Sequence, residues 1–329
     1  MKTLVTGATG FIGSNLVFEL LKQGYEVKAL VRKGSDRRNI QGLNIEIISG
    51  DLKDKASLIR ALDGCDTLFH AAAAYTFWAR DPGFIYETNV QGTGNILTAA
   101  LAKGIKKVVY TSSESTIGIN KNGNILTEEV EASPRNFTGH YHRSKYLAER
   151  LALDMANKGL PIVIVNPTVP VGPRDIKPTP TGQFIVDFLN RRLPAYVECG
   201  LNVVDVGDVA KGHILALERG RIGQKYILGN RNLTFREILA ILESITGIKA
   251  PGLKIPTWLA LAAAHINEAV SDILGKHPRV PVAGVKTACR LRYFDGSKAV
   301  AELGLPQTAV EEAFSKAVSW FKENGYVRN

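Results

Sequence analysis

Short apolar runs rich in β-branched residues alternate with stretches of helical period through the first half of the chain: TLVT, FIGSNLVFELLKQ, YEVKALV, IEIIS, KASLIRAL and DTLFHA. A strand-like run followed by a helix-like one, several times over, predicts β-α-β units and a parallel sheet covered by helices on both faces. The alternation continues with a long helix around Phe84 to Ala102, the strand KKVVYTSS, a helix from about Tyr141 to Asn157 and the strand PIVIVN. After Asn166 the texture changes. Pro167, Pro170, Pro173, Pro178 and Pro180 crowd a stretch that excludes a regular helix or central strand, and it is read as the crossing into a second lobe. Beyond it NVVDV and KYILGN are expected to return to the sheet around the helix GDVAKGHILALE. Thr234 with Glu237, and Thr308 with Glu311, have the spacing of capping boxes that open two further helices. The expected fold is α/β: a doubly wound parallel sheet over residues 1–166 with returning segments at about 202–229, and a smaller, mainly helical C-terminal lobe from 167–201 and 230–329.

Length and composition narrow the class. With 329 residues, 45% of them hydrophobic and 22% charged, the chain has ample core material and none of the bias of a disordered or fibrous sequence. Cys65, Cys199 and Cys289 lie far apart without a C-x-x-C pair, so neither a disulfide framework nor a zinc site is indicated, and a reducing, cytoplasmic setting is expected. The opening MKTLVTGATG reaches glycine before a signal-peptide core can build. No apolar run approaches the roughly 18 to 20 residues of a membrane span. The helix PTWLALAAAHINEAV could lie on a membrane or against a lipid-like substrate, but with few and non-basic polar residues it is expected to pack in the core or in its lobe, so peripheral membrane contact is not indicated. The formal charge of +10 is scattered rather than clustered, which disfavours nucleic acid and leaves a phosphate-bearing small molecule as the expected anionic partner.

Candidate chemistry begins at the N-terminus. Thr6, Gly7, Gly10, Phe11, Ile12 and Gly13 lie in TGATGFIG, a G-x-x-G-x-x-G turn directly after a strand and opening an amphipathic helix. The first glycine permits the tight turn, the second lets backbone approach a pyrophosphate, and the third lets helix and sheet pack closely, while the helix N-terminus attracts phosphate. A dinucleotide is therefore the expected cofactor. The second strand ends with Val31, where an NAD-binding acid would sit, followed by Arg32 and Lys33 and then Arg37 and Arg38; cations there suit a 2′-phosphate, favouring NADP(H) over NAD(H).

A second constellation supplies an acid or base. The strand KKVVYTSS ends in Thr111, Ser112 and Ser113, and the next helical segment carries Tyr141 and Lys145, one turn apart on a shared face. An ammonium beside a phenol is expected to lower the phenol's pKa and so to make Tyr141 a proton-transfer group, with a serine hydroxyl holding the same substrate oxygen and Lys145 holding the nicotinamide ribose. His140 and His142 flank Tyr141 on different faces and carry no metal-ligand spacing.

Together TGATGFIG, the GD-L at Gly50 to Leu52, HAAA from His70, NVQGT from Asn89, YTSS, Y-x-x-x-K and NPTVPVGP from Asn166 resemble the extended short-chain dehydrogenases/reductases over essentially the whole chain. Within that superfamily the sequence looks most like the hopanoid-associated sugar epimerase group and the neighbouring dihydroflavonol 4-reductase-like reductases. The resemblance implies a Rossmann-type fold and Ser113, Tyr141 and Lys145 as the catalytic set, with Ser112 the rival serine. It places Asp51 and Leu52 beside adenine, the Ala71, Ala72 and Ala73 backbone along the cofactor, and Asn166, Pro167 and Thr168 near the carboxamide. It also implies a homodimer through the Phe84–Ala102 and Tyr141 helices, supported by apolar Ile96, Leu97, Leu147 and Leu151. Glu114 is followed by Ser115 where sugar-nucleotide dehydratases carry two acids, which weakens a dehydratase reading.

Tyr75, Trp78 and Arg174, with Ser113 and Glu114, are the expected substrate contacts, because the loops that carry them leave the sheet's C-terminal edge. The expected function is hydride transfer at a secondary alcohol or carbonyl of a sugar-like or other small molecule. Three uses stay open: an epimerase that keeps its cofactor, a reductase that exchanges it, and a non-catalytic NADP-sensing regulator.

Overall fold

The computed structural model describes residues 1–118, 124–133, 137, 139–274, 278 and 281–327. The first half alternates as its hydrophobic pattern predicts: β1 (Lys2–Thr6), α1 (Phe11–Lys22), β2 (Glu26–Val31), β3 (Glu46–Ser49), α2 (Lys55–Leu62), β4 (Thr67–His70), α3 (Gly83–Tyr86), α4 (Gly92–Ala102), β5 (Lys107–Thr111), α5 (His140–Asn157) and β6 (Ile162–Pro167). The long helix expected from Phe84 to Ala102 is helical throughout but interrupted. Its Glu87–Gln91 stretch is wound as a π-helix between α3 and α4, a local widening that often accompanies a functional site.

The second half contains β7 (Val169–Val171), α6 (Pro180–Leu189), β8 (Gly200–Asp205), α7 (Val206–Arg219), β9 (Lys225–Leu228), β10 (Arg231–Thr234), α8 (Phe235–Thr246), α9 (Thr257–Leu274), α10 (Val282–Ala288), β11 (Leu291–Arg292), α11 (Ser297–Leu303) and α12 (Val310–Glu323). The main sheet is seven-stranded in the order β3-β2-β1-β4-β5-β6-β9, and every pairing in it is parallel. Parallel strands need crossover helices, so each face is buried under them. One apolar layer joins the sheet to α1 and α7 through residues such as Leu16, Leu20 and Ile214. The other joins it to α2, α4 and α5 through Leu58, Ile96 and Ala152. Strand order reverses between β1 and β4, and ligands of such sheets bind at that point, outside the carboxyl ends of the strands.

Four expectations change here. NVVDV lies in β8, which does not return to the main sheet; it centres a smaller sheet, antiparallel to β10 and parallel to β7 and β11. The apolar run specified a strand but not its partner. The Thr234–Glu237 capping box is present, whereas Thr308 leaves its helix uncapped. Its N–H and hydroxyl donate to the Asp208 carboxylate at 2.7 and 3.0 Å, and α12 starts two residues later behind Ala309. Ile96 and Leu97, counted toward a dimer contact, are fully buried inside the chain, and of the four residues in that argument only Leu147 is exposed. Finally, α9 is not core: Trp258, Leu259, Ile266, Val270, Ile273 and Leu274 are all exposed.

Candidate active site

The glycine turn has the shape a dinucleotide demands. Gly7 sits at φ +75°, and a Cβ there would lie under 3 Å from the Ala71 and Ala72 backbone; a Cβ on Gly13 would come within 2.1 Å of the Gly7 carbonyl. No side chain caps α1 at Gly10. The first-turn N–H groups of Phe11, Ile12 and Gly13 have no intrahelical acceptor, which leaves donors and the positive end of the helix dipole for a phosphate. The residues present therefore fit a nicotinamide dinucleotide.

His70 locks this turn to the next strand. Thr93 Oγ1 donates to the Asn89 carbonyl at 2.6 Å, so it accepts from His70 Nε2 at 3.0 Å, and the other ring nitrogen accepts from Thr6 Oγ1 at 2.7 Å. Full burial pulls the imidazole's pKa down to about 3, so the ring works as a neutral connector. Ala72 N–H completes the chain on Thr6 Oγ1 at 3.3 Å. At the end of β2, Val31 is buried while Arg32 and Lys33 are exposed beyond it. Arg38 is already engaged, bidentate to Asp36 at 3.1 and 2.7 Å. Leu52 is buried under α4, its carbonyl accepting from Asn95 Nδ2 at 2.9 Å, and Asp51 is half-buried beside it.

The serines at the end of β5 point apart. Ser112 Oγ donates to the buried Glu149 carboxylate at 2.5 Å. The Ser113 hydroxyl instead accepts from Ser115 N–H at 3.2 Å and from Ser115 Oγ at 3.0 Å, and it lies near enough to the Tyr141 phenol to favour its ionised form. Ser113 is thus the serine beside Tyr141. Burial holds that phenol well above its ordinary value of 10.0, with Tyr75 and Glu114 adding to the effect and Ser113 and Arg292 opposing it. The expected lowering by Lys145 is absent. Lys145 is buried and spends its ammonium elsewhere, on the Thr111 carbonyl at 2.8 Å and the Tyr110 hydroxyl at 3.2 Å. Desolvation brings its own pKa down to about 8.

Aromatic rings close over Tyr141. Tyr75 packs edge-on at 4.8 Å between centroids and Phe77 at 5.9 Å, while His142, pulled down to about 4 by burial and by Arg292 and Arg290, meets Phe77 at 5.6 Å. Trp78 follows in the same loop, its backbone tied into a turn by Thr76 Oγ1. Asn89 pins that loop to α5. Its amide exchanges two hydrogen bonds with Ala74, at 2.7 and 3.1 Å, and donates to Ser144 Oγ at 2.9 Å.

Two features had no signal in the sequence. Arg292, on β11 of the smaller sheet, donates to the buried Glu114 carboxylate at 2.5 Å; its Nε is buried with no hydrogen-bond partner among the described residues. Glu149, two turns beyond Tyr141, accepts from Ser112, from Thr116 at 2.6 Å and from Asn166 at 2.8 Å, with Lys225 at 3.8 Å. Asn166 Oδ1 is buried with no hydrogen-bond partner among the described residues, a spare acceptor beside the end of β6. Thr168 turns to Asn202 at 2.9 Å instead, and Pro167 is the buried last residue of β6. Arg174 does not join the aromatic cluster. At φ +73° its guanidinium lies 3.5 Å over the Phe18 ring and donates to Asn15 Oδ1 at 3.3 Å, against α1. Asn39 holds this arrangement, donating to both the Thr9 and Arg174 carbonyls. Proximity in sequence to the crossover predicted the pocket, but the left-handed turn at Arg174 sends its side chain back.

A parallel sheet with a phosphate-accepting turn at its reversal point, and a serine and a tyrosine meeting at the same edge, defines a nicotinamide-dinucleotide enzyme of the short-chain dehydrogenase/reductase type. Residues 3–229 match the model of the NAD dependent epimerase/dehydratase family, and the chain belongs to that family. It is 49% identical over 328 residues, 98% of the chain and 95% of its counterpart, to a Synechocystis sp. protein provisionally named a dihydroflavonol 4-reductase. It is 35% identical over 329 residues, 99% of the chain and 100% of its counterpart, to sterol demethylase protein B of Methylococcus capsulatus. Among solved structures, gox2253 aligns with a TM-score of 0.88 at 43% identity, covering 99% of each chain.

Proposed function

We propose that this chain is an NADP(H)-dependent carbonyl reductase that converts a ketone on a flat, largely apolar substrate to a secondary alcohol, exchanging its cofactor at each turnover. The observation that carries the reading is the meeting of the Ser113 and Tyr141 hydroxyls beneath Tyr75 and Phe77, with the phenol kept protonated by burial. The bound nicotinamide would supply the hydride. Tyr141 then donates its proton to the carbonyl oxygen, which becomes the product hydroxyl, and the Ser113 hydroxyl donates a hydrogen bond to that same oxygen. The aromatic lid offers ring faces rather than the array of donors a sugar requires, and two similar proteins carry names that point to a flavonoid and a sterol.

In this reading the cofactor lies along Gly7, Gly10 and the N–H groups of Phe11 to Gly13, with Asp51 and Leu52 at the adenine, Ala71 to Ala73 along its length and Asn166 Oδ1 at the carboxamide. Val31 leaves no carboxylate to repel a 2′-phosphate, and Arg32 and Lys33 are free to meet it. Arg292 closes the substrate side together with Glu114.

The test is steady-state reduction of cyclic ketones with NADPH. Tyr141→Phe keeps the ring's packing and removes the proton; its kcat should fall by about 10² to 10⁴ with NADPH affinity unchanged, and Ser113→Ala should lose a similar or smaller factor. A Tyr141→Phe enzyme within a few-fold of the parent would refute the assignment. Nucleotide that stays bound through purification, with turnover needing none added, would favour the epimerase instead.

A further inference from the structure

The helix α9 (Thr257–Leu274) is amphipathic in the reverse of the usual sense. Its buried positions are small or polar, Ala264 and Ser271. Glu268, partly buried, accepts from Val282 N–H at 2.7 Å and so faces α10. Its outward face carries Trp258, Leu259, Ile266, Val270, Ile273 and Leu274, with exposed alanines between them. At 100° per residue these positions fill a continuous arc of about 160° that no charged side chain interrupts. His265 and Asp272, both exposed, stand at its edge. Ile273 is 85% exposed, Trp258 68% and Ile266 67%, values for side chains in water rather than in a loose interior. A contiguous apolar face this exposed is a candidate interaction site, since such patches on a monomer are often functional.

Shape and charge decide what covers it. The helix packs chiefly on α10. Its 18 residues give a face about 27 Å long and about 10 Å wide, roughly 270 Å². A stable protein interface needs about 800 Å² from each partner, so this convex strip alone is too small to hold a second copy. A bilayer has no such requirement, because its acyl boundary conforms to a single cylinder lying in the interface, with an apolar arc of this width below the headgroups and a tryptophan at one end. The chain's net charge is +10; exposed Lys249 and Lys254 lie on the segment entering α9, Lys254 being paired to Glu198 at 3.2 Å, and exposed Lys286 lies on the neighbouring α10. Cations around an apolar strip complement an anionic leaflet.

We propose that α9 is a bilayer-docking helix that seats the protein on an anionic lipid surface. The position relative to the pocket gives the contact a use. α10, the partner of α9, lies against the aromatic lid: the nearest neighbour of a Cβ on Gly284 would be Phe77 at 3.6 Å, and Ala283 faces Gly139 at the start of the Tyr141 helix. This packed pair of helices therefore sets the lipid-facing strip beside the wall of the active site, which places the pocket close to a source of apolar substrate. The docking itself stands independently of the proposed reductase activity.

Sedimentation with vesicles tests it on the full chain. The protein should pellet with vesicles of phosphatidylcholine containing 30 mol% phosphatidylglycerol (roughly the anionic fraction that gives surface electrostatics their reach) and bind at least about tenfold less to phosphatidylcholine alone, with binding weakened by salt. An Ile266→Glu/Ile273→Glu variant, altered only at exposed positions, should lose at least about tenfold of that partition while NADPH binding and thermal midpoint stay unchanged. Parent protein that remains in the supernatant with both lipids, or a variant that pellets as well as the parent, overturns the proposal. So does a parent dimer in light scattering that the variant dissociates without any vesicle binding, since a second copy would then be the occupant. NADPH binding lost in the parent as well would count against the function proposed above and leave the docking result standing.

Discussion

Replacing Lys145 by methionine should stabilise the protein at neutral pH and lose that advantage at alkaline pH. The ammonium is buried with a pKa pulled from 10.5 to about 8 by desolvation, so the folded chain releases a proton that the unfolded chain keeps. Between about pH 8 and 10.5 the unfolded state binds more protons, and this group makes stability rise with pH; below about 8 the whole penalty of burying the charge applies. Linkage puts that penalty at about 3 kcal/mol at pH 7 and about 1 kcal/mol at pH 10. Methionine matches the side chain's length but cannot donate. The Thr111 carbonyl, 2.8 Å from Nζ, loses its donor at a cost of about 1 kcal/mol or somewhat more.

The variant should therefore be more stable than the parent by about 2 kcal/mol at pH 7 and about equal or slightly less stable at pH 10. The change between the two pH values, about 2 kcal/mol, is the sharper quantity, because the lost hydrogen bond is common to both. Urea unfolding of the cofactor-free proteins, followed by tryptophan fluorescence at each pH, measures it. A stability difference between parent and variant that stays constant within about 0.5 kcal/mol from pH 7 to 10 would show that the buried ammonium is not desolvated as its surroundings indicate. Natural selection of such a costly residue makes sense only if Lys145 is needed with ligand bound, and NADPH affinity of the same variant should fall.

Two further outcomes are expected. Arg32→Ala should weaken NADPH binding by about 1 to 3 kcal/mol and leave NADH nearly untouched in a fluorescence titration; equal losses would remove the case for the 2′-phosphate. Arg292→Gln strips the partner from the buried Glu114 carboxylate and should cost about 2 to 4 kcal/mol in urea unfolding at pH 7, with most of it recovered in the Glu114→Gln/Arg292→Gln double variant; additive losses would show that the two groups do not act as a pair.

What could be read from the sequence was local. The glycine turn announces itself because three glycines fill steric requirements within seven residues, and Tyr141 with Lys145 because one helical turn fixes their separation. The alternation of strand and helix gave the parallel sheet for the same reason. Arg292 and Glu114 are 178 residues apart, and nothing in either neighbourhood marks the other. The placement of β8 failed similarly, since an apolar run encodes burial but not a partner. α9 misled in a more instructive way. Its periodicity is that of an amphipathic helix, and pattern alone cannot tell whether the apolar face looks inward to a core or outward to a second apolar medium.

The charge environment of α5 follows from its periodicity in a way that links these points. Tyr141, Lys145 and Glu149 stand at intervals of four, a stripe running from the aromatic lid into the interior. Glu149, at the deep end, gathers Ser112, Thr116 and Asn166 onto one carboxylate, which fixes the end of β5 and the turn after it. Successive residues of an extended chain point to opposite sides, so anchoring Ser112 inward sends Ser113 out toward Tyr141. Lys145, in the middle, meets the same strand end through the Thr111 carbonyl. The serine beside the phenol is thus selected by a carboxylate that touches neither of them. Substitution at Glu149 should disturb the Ser113 to Tyr141 geometry even though both hydroxyls remain in place.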